Sequence, residues 1–569
     1  MSSAEDESEG RLASKTGRKG ALTGALAGLG KSLLPERSPE WGVGDRRVRA
    51  LLVAGFGVLV GLIPFLLYLR TLAPGVMYYA RPDLLDAATL QVHAATLGIT
   101  HPTGYPTWVL LTHLFTYLPF GETAYLTNLS SAVYSAGALV LVYAAGLLLT
   151  HRVVAAAVGA LALGLGSTFW SQAVITEVYN LNALFVALFF STLLLWRRRL
   201  AQRRSADGYL LAAAFVAGLS LTNHLTSGTL VPAGLAFVAL VAPARLRDAG
   251  LLLRGAGLFL LGLTPYLYLP IRASMKPPFR EGNPEGVAGF LTHVTGREVN
   301  GVLLGRSIGE LPERLALFFT SLQPQFGLLA GLALLGLITL LVRDRPAAAL
   351  LGLPLALWLA HAALYDIPDL DLYFLPPYLV VALGVCVGAG TLLRIFEVQT
   401  EGGPRYARWA AVLCASAALL LLPFAGLGET YEAVDRSEDT RGREIIEAVA
   451  ENVEPGATVL HNRSSLWYMV LVEERRRDLT LLDPFIPERI TTYDLVWPDN
   501  LGPEQAERRY STGDSLGVET AERAAERGPV YILAQDSANA VAFRQAGFEI
   551  VPVEEGTLYR LVPPGEEPG

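Results

Sequence analysis

Asp86-Ala-Ala-Thr-Leu-Gln91 is followed, ten residues on, by His101-Pro-Thr-Gly-Tyr-Pro106. A carboxylate just beyond a hydrophobic span can take a proton from an attacking hydroxyl, and partial burial strengthens its hold on that proton. The same residue types also fit a solvated loop acid, or a cap for the next helix. The elbow after it is rigid. Two prolines and a glycine fix a turn, and Tyr105 and Trp108 suit the depth of lipid headgroups. Taken alone, it reads equally as an interfacial turn or as part of a donor-binding pocket.

Other candidates are scattered along the chain. Glu177 lies in Ser171–Asn180, where one apolar span ends and the next begins, with Tyr179 and Asn180 beside it. An ionisable group at that depth is costly unless it is paired or faces a cavity, although capping by Thr176 and Glu177 would also account for it. Asn223-His224 interrupts two short apolar spans. The His could bind a phosphate or donate a proton, but a lone His is more often structural. Arg272 closes a span, and its fork of donors matches phosphate oxygens, while an arginine snorkelling to the interface is the plainer reading. Arg280, Glu281, Asn283, His293 and Arg297 follow as weaker candidates. Asp369-Leu-Asp371 has the look of a metal-binding acid pair, but so short a motif is common by chance, and no metal is expected.

These residues are carried by a chain made for lipid. Of 569 residues, 52% are hydrophobic and 17% charged. Soluble proteins have roughly 25% charged residues. The net charge of −7 argues against nucleic acid as a partner. Cys386 and Cys414 both lie in apolar spans, which leaves no disulfide framework and no thiolate metal site. Residues 1–48 are polar and contain eight Lys or Arg. They read as a disordered cytoplasmic tail before a signal-anchor helix, with no cleavable signal peptide.

The positive-inside rule then fixes the topology. Apolar spans are expected near 50–70, 124–149, 153–170, 178–196, 209–222, 225–241, 251–270, 325–342, 347–364, 374–394 and 408–427, which makes eleven crossings. The stretch 107–119 is too short to cross a bilayer and is expected to lie along the interface. With it out of the count, Arg152, Arg197–Arg204, Arg245, Arg247, Arg343, Arg345 and Arg394–Arg408 all fall on the inner side. The loops bearing the unusual residues (71–123, 171–180, 223–224, 271–324 and 365–373) all emerge outside. A one-sided collection of acids, His and Arg points to an extracytoplasmic active site.

Residues 49–427 thus form a mainly α transmembrane domain. Residues 428–569 change character: Thr458–Leu460, Leu479–Leu482, Val530–Leu533 and Phe548–Val553 read as strands, alternating with helices at 440–452, 464–476 and 517–527. A small extracytoplasmic α/β domain is expected there.

The motifs together resemble a known family. Asp86, Leu90-Gln91, Leu97-Gly98-Ile99 and His101–Pro106 come first. Thr176–Asn182, Gly218–His224, Leu269–Arg272, Thr292–Gly296 and Asp369–Pro376 follow in order, over roughly 50–400. They resemble the transmembrane protein O-mannosyltransferases, once listed as a domain of unknown function, within the GT-C class of glycosyltransferases. The resemblance implies a polyprenyl-phosphate sugar as substrate, no cofactor, and an acid in the first outer loop as catalytic base. By position that acid is Asp86. His101, Tyr105, Glu177, Tyr179, Asn180, His224 and Arg272 are then the candidate donor-binding residues, with the lipid phosphate near His224 and Arg272. The chain departs from the family at Ala87-Ala88 for Ser-Gly, Thr89 for Glu, Thr103 for the second elbow proline, and Glu281-Gly-Asn283 for an expected Trp-Gly-Asp-like run. Thr89 leaves no second carboxylate in the first motif.

The implied function is transfer of a sugar, mannose by resemblance, to a Ser or Thr hydroxyl of an exported protein, with inversion. A transporter or flippase of lipid-linked sugars is the alternative. It would place its ionisable groups near the bilayer midplane, often in repeated halves, whereas here they sit at span ends and no repeat is visible. A receptor anchored by eleven spans is a third and weaker reading.

Overall fold

The computed structural model describes residues 46–78, 86–297, 306–367, 369–400, 402–461, 463–482, 518, 521–533 and 537–566. Almost all of the expected tail lies outside the described residues, as does part of the helix expected at 517–527.

In hydrocarbon, an apolar run must satisfy its backbone internally, and a helix does so. Among the described residues, seven helices are long and apolar enough to cross a membrane: Arg47–Thr71, Thr123–Thr150, Tyr179–Ala201, Ala249–Ser274, Arg345–Leu364, Leu370–Gln399 and Tyr406–Val434. The count becomes nine if two bent pairs are each one span. These are Val153–Gly164 with Ser167–Ala173, bent by 67°, and Leu311–Phe326 with Leu329–Arg343, bent by 116°. The chain is a multi-pass membrane protein. Each expected crossing falls on helix, but the total of eleven is not reached. Asp207–Leu221 and Leu225–Val241 are shorter than the other spans, and the first, at 15 residues, covers only about 22 Å of a roughly 30 Å core.

The two bends meet at one glutamine. Gln325 Oε1 accepts the backbone N–H of Thr168 at 3.0 Å, and its Nε2 donates to the carbonyl of Leu163 at 3.2 Å. It thereby satisfies groups that the first break leaves open. A Cβ on Gly166 would lie 1.7 Å from the Gln325 side chain. Only glycine lets the bends approach this closely.

The expected interfacial piece is the helix Pro106–His113, continued by a 3-10 turn to Tyr117. It is too short to cross. Leu110, Leu114, Leu118 and Phe120 are exposed and Trp108 and Val109 buried, which suits a segment lying along the membrane.

The C-terminal region holds a five-stranded sheet in the order β2-β1-β3-β5-β4. The strands are β1 (Thr458–Leu460), β2 (Thr480–Leu482), β3 (Val530–Leu533), β4 (Glu549–Glu554) and β5 (Leu558–Val562). β1 is parallel to β2 and β3, while β5 is antiparallel to β3 and β4. The sequence reading lacked β5. It also drew a helix over 464–476 where the helix is only Leu466–Leu471. This region is seated on the segments 71–123 and 271–324 and on the start of the helix Thr123–Thr150. Val76, Val92, Ala124 and Phe279 share one apolar cluster with Ile445, Val449, Trp467 and Tyr531. The Tyr468 hydroxyl accepts the N–H of Ala124 at 3.1 Å, and Arg443 pairs with Glu122 at 2.9 Å.

Candidate active site

Asp86 stands at the N-terminus of the helix Ala87–Thr96. The exposed amides of a helix start favour a carboxylate there. Its own carbonyl accepts the N–H of Leu90 and the Thr89 hydroxyl, at 2.8 and 3.0 Å. The helix is buried from Ala87 to Ala94 and held in place by Gln91. Gln91 accepts the Met77 N–H at 2.9 Å and donates to Asn128 Oδ1 at 3.0 Å, and Asn128 Oδ1 also accepts the Thr176 hydroxyl. One amide network thus fixes the acid-bearing helix against Thr123–Thr150 and the Glu177 loop.

At the other end of that helix Leu97 turns left-handed, at φ 52°. Arg272 closes the end: its Nε and one terminal nitrogen donate to the carbonyls of Leu97 (2.7 Å) and Thr96 (3.0 Å). A cation on the last carbonyls of a helix is favourable. Two of the three nitrogens of the guanidinium expected to receive phosphate are thus held by backbone, and the third faces Met275 Sδ at 3.8 Å. Arg272 positions the Asp86 helix.

After Gly98 the chain forms a short parallel bridge between Ile99 and Arg280. The Glu281 N–H donates to the Ile99 carbonyl at 2.6 Å. A Cβ on Gly98 would strike His93 Nδ1 and the Phe279 carbonyl, at 2.5 and 2.6 Å. The segment after Arg272 thereby lays Glu281 beside Asp86. Glu281 Oε1 meets His93 Nε2 at 2.9 Å, and Oε2 meets His101 Nδ1 at 3.3 Å. His101 Nε2 faces Asp86 Oδ2 at 3.7 Å and shares a 3.1 Å hydrogen bond with the Tyr105 hydroxyl.

The cation of this cluster comes from the sheet. Arg463, just past β1, donates from one terminal nitrogen to Asp86 and from the other to Glu281 Oε2, at 3.0 Å. The Asp86 side chain is 21% exposed and that of Glu281 1%. Asp86 is thus the carboxylate a substrate can reach, and Glu281 the one that holds the frame. The first motif holds no second carboxylate, and Glu281 supplies one beside Asp86 from another segment.

Tyr105 links this cluster to a second one. Gly104 (φ 92°) and Tyr105 (φ 37°) take left-handed backbone, which turns the Tyr105 ring between His101 and His224, at 5.1 and 6.0 Å. Burial above all, then the charges of Tyr365, Glu177, Asp369 and Glu281, hold its phenol well above the usual range. It stays a neutral donor. His224 packs against Tyr179 and Tyr373, at 5.7 and 6.0 Å, and its Nδ1 bonds the Thr226 hydroxyl at 2.7 Å. Burial, with His361 and His101 nearby, pushes His224 down to about 3. It is neutral near pH 7 and offers phosphate no charge. Tyr179 donates to Asp369 at 3.4 Å, and burial, with Asp371 adding, pushes that carboxyl up to about 6.

Glu177 and Asn180 support this from behind. The Glu177 side chain accepts the Val178 N–H at 3.2 Å, and its carbonyl holds Trp108 Nε1 at 3.0 Å. Asn180 donates to Ser135 at 2.6 Å. Of the candidates read from sequence, Asp86, His101 and Tyr105 meet directly. Tyr179, His224 and Asp369 gather beyond Tyr105, and Arg272 acts at the helix end. Sequence reasoning missed His93 and Arg463 and ranked Glu281 low. His93 carries a signal: seven residues after Asp86, it lies two helical turns along the same face. Among the described residues, no group of three or more His, Cys, Asp or Glu side chains could hold a metal ion.

Residues 86–246 match the family model described as the protein O-mannosyl-transferase TMEM260 N-terminal domain. The chain resembles the protein O-mannosyl-transferases. The match opens on Asp86 and is shorter than the 50–400 stretch over which the motifs run. Protein O-mannosyl-transferase TMEM260 of Mus musculus is 30% identical over 230 residues, which are 39% of this chain and 32% of that protein. The Dictyostelium discoideum protein is 24% identical over 274 residues, 45% and 34% of the two chains. The matched part thus spans about a third of the length of these curated relatives.

By fold the chain is GT-C-like. ArnT from Cupriavidus metallidurans, solved bound to undecaprenyl phosphate, superposes with a TM-score of 0.55 at 14% identity, over 89% of this chain and 98% of that one. The Archaeoglobus fulgidus oligosaccharyltransferase gives 0.50 at 14% identity, over 88% and 71%.

Proposed function

We propose that the chain is an inverting GT-C glycosyltransferase. It moves a sugar, mannose by analogy with its relatives' names, from a polyprenyl phosphate to a Ser or Thr hydroxyl of an exported protein. The pairing of a reachable Asp86 with a buried Glu281 and His101, at the start of the family match, carries this reading. Asp86 takes the proton of the acceptor hydroxyl. The freed oxygen attacks the anomeric carbon from the face opposite the phosphate, and the bond from that carbon to the phosphate oxygen breaks with its electron pair left on the phosphate. One in-line displacement inverts the centre. His101 and Tyr105 orient the acid and the donor, and the aromatic group around Tyr179 and His224 borders the path beyond Tyr105. The site faces the extracytoplasmic side, with the basic span ends inside.

The test is transfer of radiolabelled mannose from a polyprenyl-phosphate donor to a Ser/Thr-containing acceptor domain, by the purified chain in detergent. Transfer that yields an α-linked product from a β-linked donor is expected. Absence of transfer, together with donor transport across sealed vesicles, would favour the flippase reading instead.

A further inference from the structure

Arg463 reaches the membrane-borne acids from a different region of the chain. It lies at φ 45°, left-handed backbone that a residue with a Cβ rarely adopts. Its two terminal nitrogens each take one carboxylate, Asp86 and Glu281. The segment around it is anchored on both sides. His461 shares a 2.9 Å hydrogen bond with Ser464, the Trp467 ring packs on Phe279 at 5.3 Å, and Tyr468 holds Ala124. The arrangement has a consequence for the reaction. A carboxylate that accepts a guanidinium is a poor proton acceptor, so Asp86 is held back while Arg463 is on it.

We propose that Arg463 is the phosphate-binding cation of the site, exchanging Asp86 for an oxygen of the donor's phosphate as the donor enters. This rests on the glycosyltransferase reading above. The exchange follows the charge through the reaction. A sugar phosphodiester bears one negative charge and the departing lipid phosphate two. The added charge appears on the phosphate as Asp86 becomes neutral by taking the hydroxyl proton. Glu281 stays on the other terminal nitrogen throughout and keeps the guanidinium in place. The cation thus serves the carboxylate in the resting enzyme and the phosphate in the transition state, the kind of differential contact that accelerates a reaction. Arg272 has two of its three nitrogens held by backbone and His224 is neutral, which leaves Arg463 the cation that sits on Asp86 itself. The base is consequently freed only when a phosphate donor is present, and a membrane site without its C-terminal sheet region lacks the cation.

Two measurements on the full chain test this. One is affinity for undecaprenyl phosphate, which needs no turnover. The other is the acid limb of the pH profile of kcat/KM for the donor, which reports the free enzyme, where Arg463 is on Asp86. Asp86 is faced by Arg463 and His101, with Glu281, His93 and His293 behind them, so both are read on variants that change Arg463 alone. Arg463→Ala should weaken undecaprenyl phosphate binding about 10–100-fold, the worth of a charge-assisted hydrogen bond. It should also move the acid limb upward by about one to three pH units. Arg463→Lys keeps a charge but not the fork, and should fall between; it also serves if Arg463→Ala does not fold. Wild-type affinity and an unmoved acid limb in the folded variant would overturn the role of Arg463 and leave the glycosyltransferase reading standing. A wild-type chain that neither binds undecaprenyl phosphate nor transfers sugar would overturn both.

Discussion

Asp86 and Glu281 share an arginine and a histidine, yet substitution should separate them cleanly. Asp86→Asn keeps the size and one acceptor but cannot take the proton. Turnover should fall about 10²–10⁴-fold, the usual worth of a general base. Its effect on stability should be small, because the side chain is 21% exposed and Arg463 keeps Glu281 as a partner. Glu281→Gln is the reverse case. Its carboxylate is 1% exposed and contacts His93 at 2.9 Å, Arg463 at 3.0 Å and His101 at 3.3 Å. Removing one member of a buried charged network costs about 3–5 kcal/mol. This variant should unfold earlier, and its turnover per folded molecule should fall less than that of Asp86→Asn, because Gln still accepts from Arg463 but holds it less firmly. The assay pairs the thermal midpoint in detergent with the rate of sugar transfer per folded molecule. Undiminished transfer by Asp86→Asn would remove it from the mechanism. A stable Glu281→Gln protein with turnover abolished would make Glu281 the base.

Asp369 gives a pH prediction. Its carboxyl is pushed up to about 6 by burial, so the fold favours the protonated form. That contribution is complete below about pH 4 and is lost as pH rises through 6, up to about 3 kcal/mol over the interval. Asp369→Asn should remove this decline, and stability curves of the two proteins that run parallel from pH 4 to 7 would refute it. Arg272→Lys should cost about 1–2 kcal/mol by losing the fork on the Leu97 and Thr96 carbonyls, with undecaprenyl phosphate affinity kept; a large loss of affinity in a stable variant would return Arg272 to the phosphate site. Topology is checked by single cysteines in a background lacking Cys386 and Cys414. Tyr117 and Ser205, both exposed, are the probes. They should label from opposite sides, and labelling from one side would sink the arrangement.

The membrane part was legible because hydropathy obeys a one-dimensional rule: lipid demands long apolar runs, and those runs stand in the sequence itself. The number of spans was less legible. Length alone does not reveal that Gly327, at φ 53°, breaks a hydrophobic stretch into two helices bent by 116°. Asp86, His101 and Tyr105 could be read together because they lie within twenty residues and their turn is written in Pro and Gly. Glu281 could not, since it reaches His93 only through the bridge to Ile99, a pairing that leaves no periodic trace.

Arg463 is the limiting case, 377 residues from the acid it holds. Nothing local marks it among the arginines of a soluble α/β segment. Its role exists only because Trp467 and Tyr468 seat the sheet on Phe279 and Ala124. The division of labour follows from this. The helix Ala87–Thr96 presents one acid at its start, and the segment around Glu281 buries a second acid to frame it. On the role proposed for Arg463, a cation carried by a separate fold then decides when the first acid is free to act. A proton acceptor at a membrane surface is exposed to water whenever the substrate is absent. Holding it in an ion pair until a phosphate arrives confines its basicity to the moment a hydroxyl is in place.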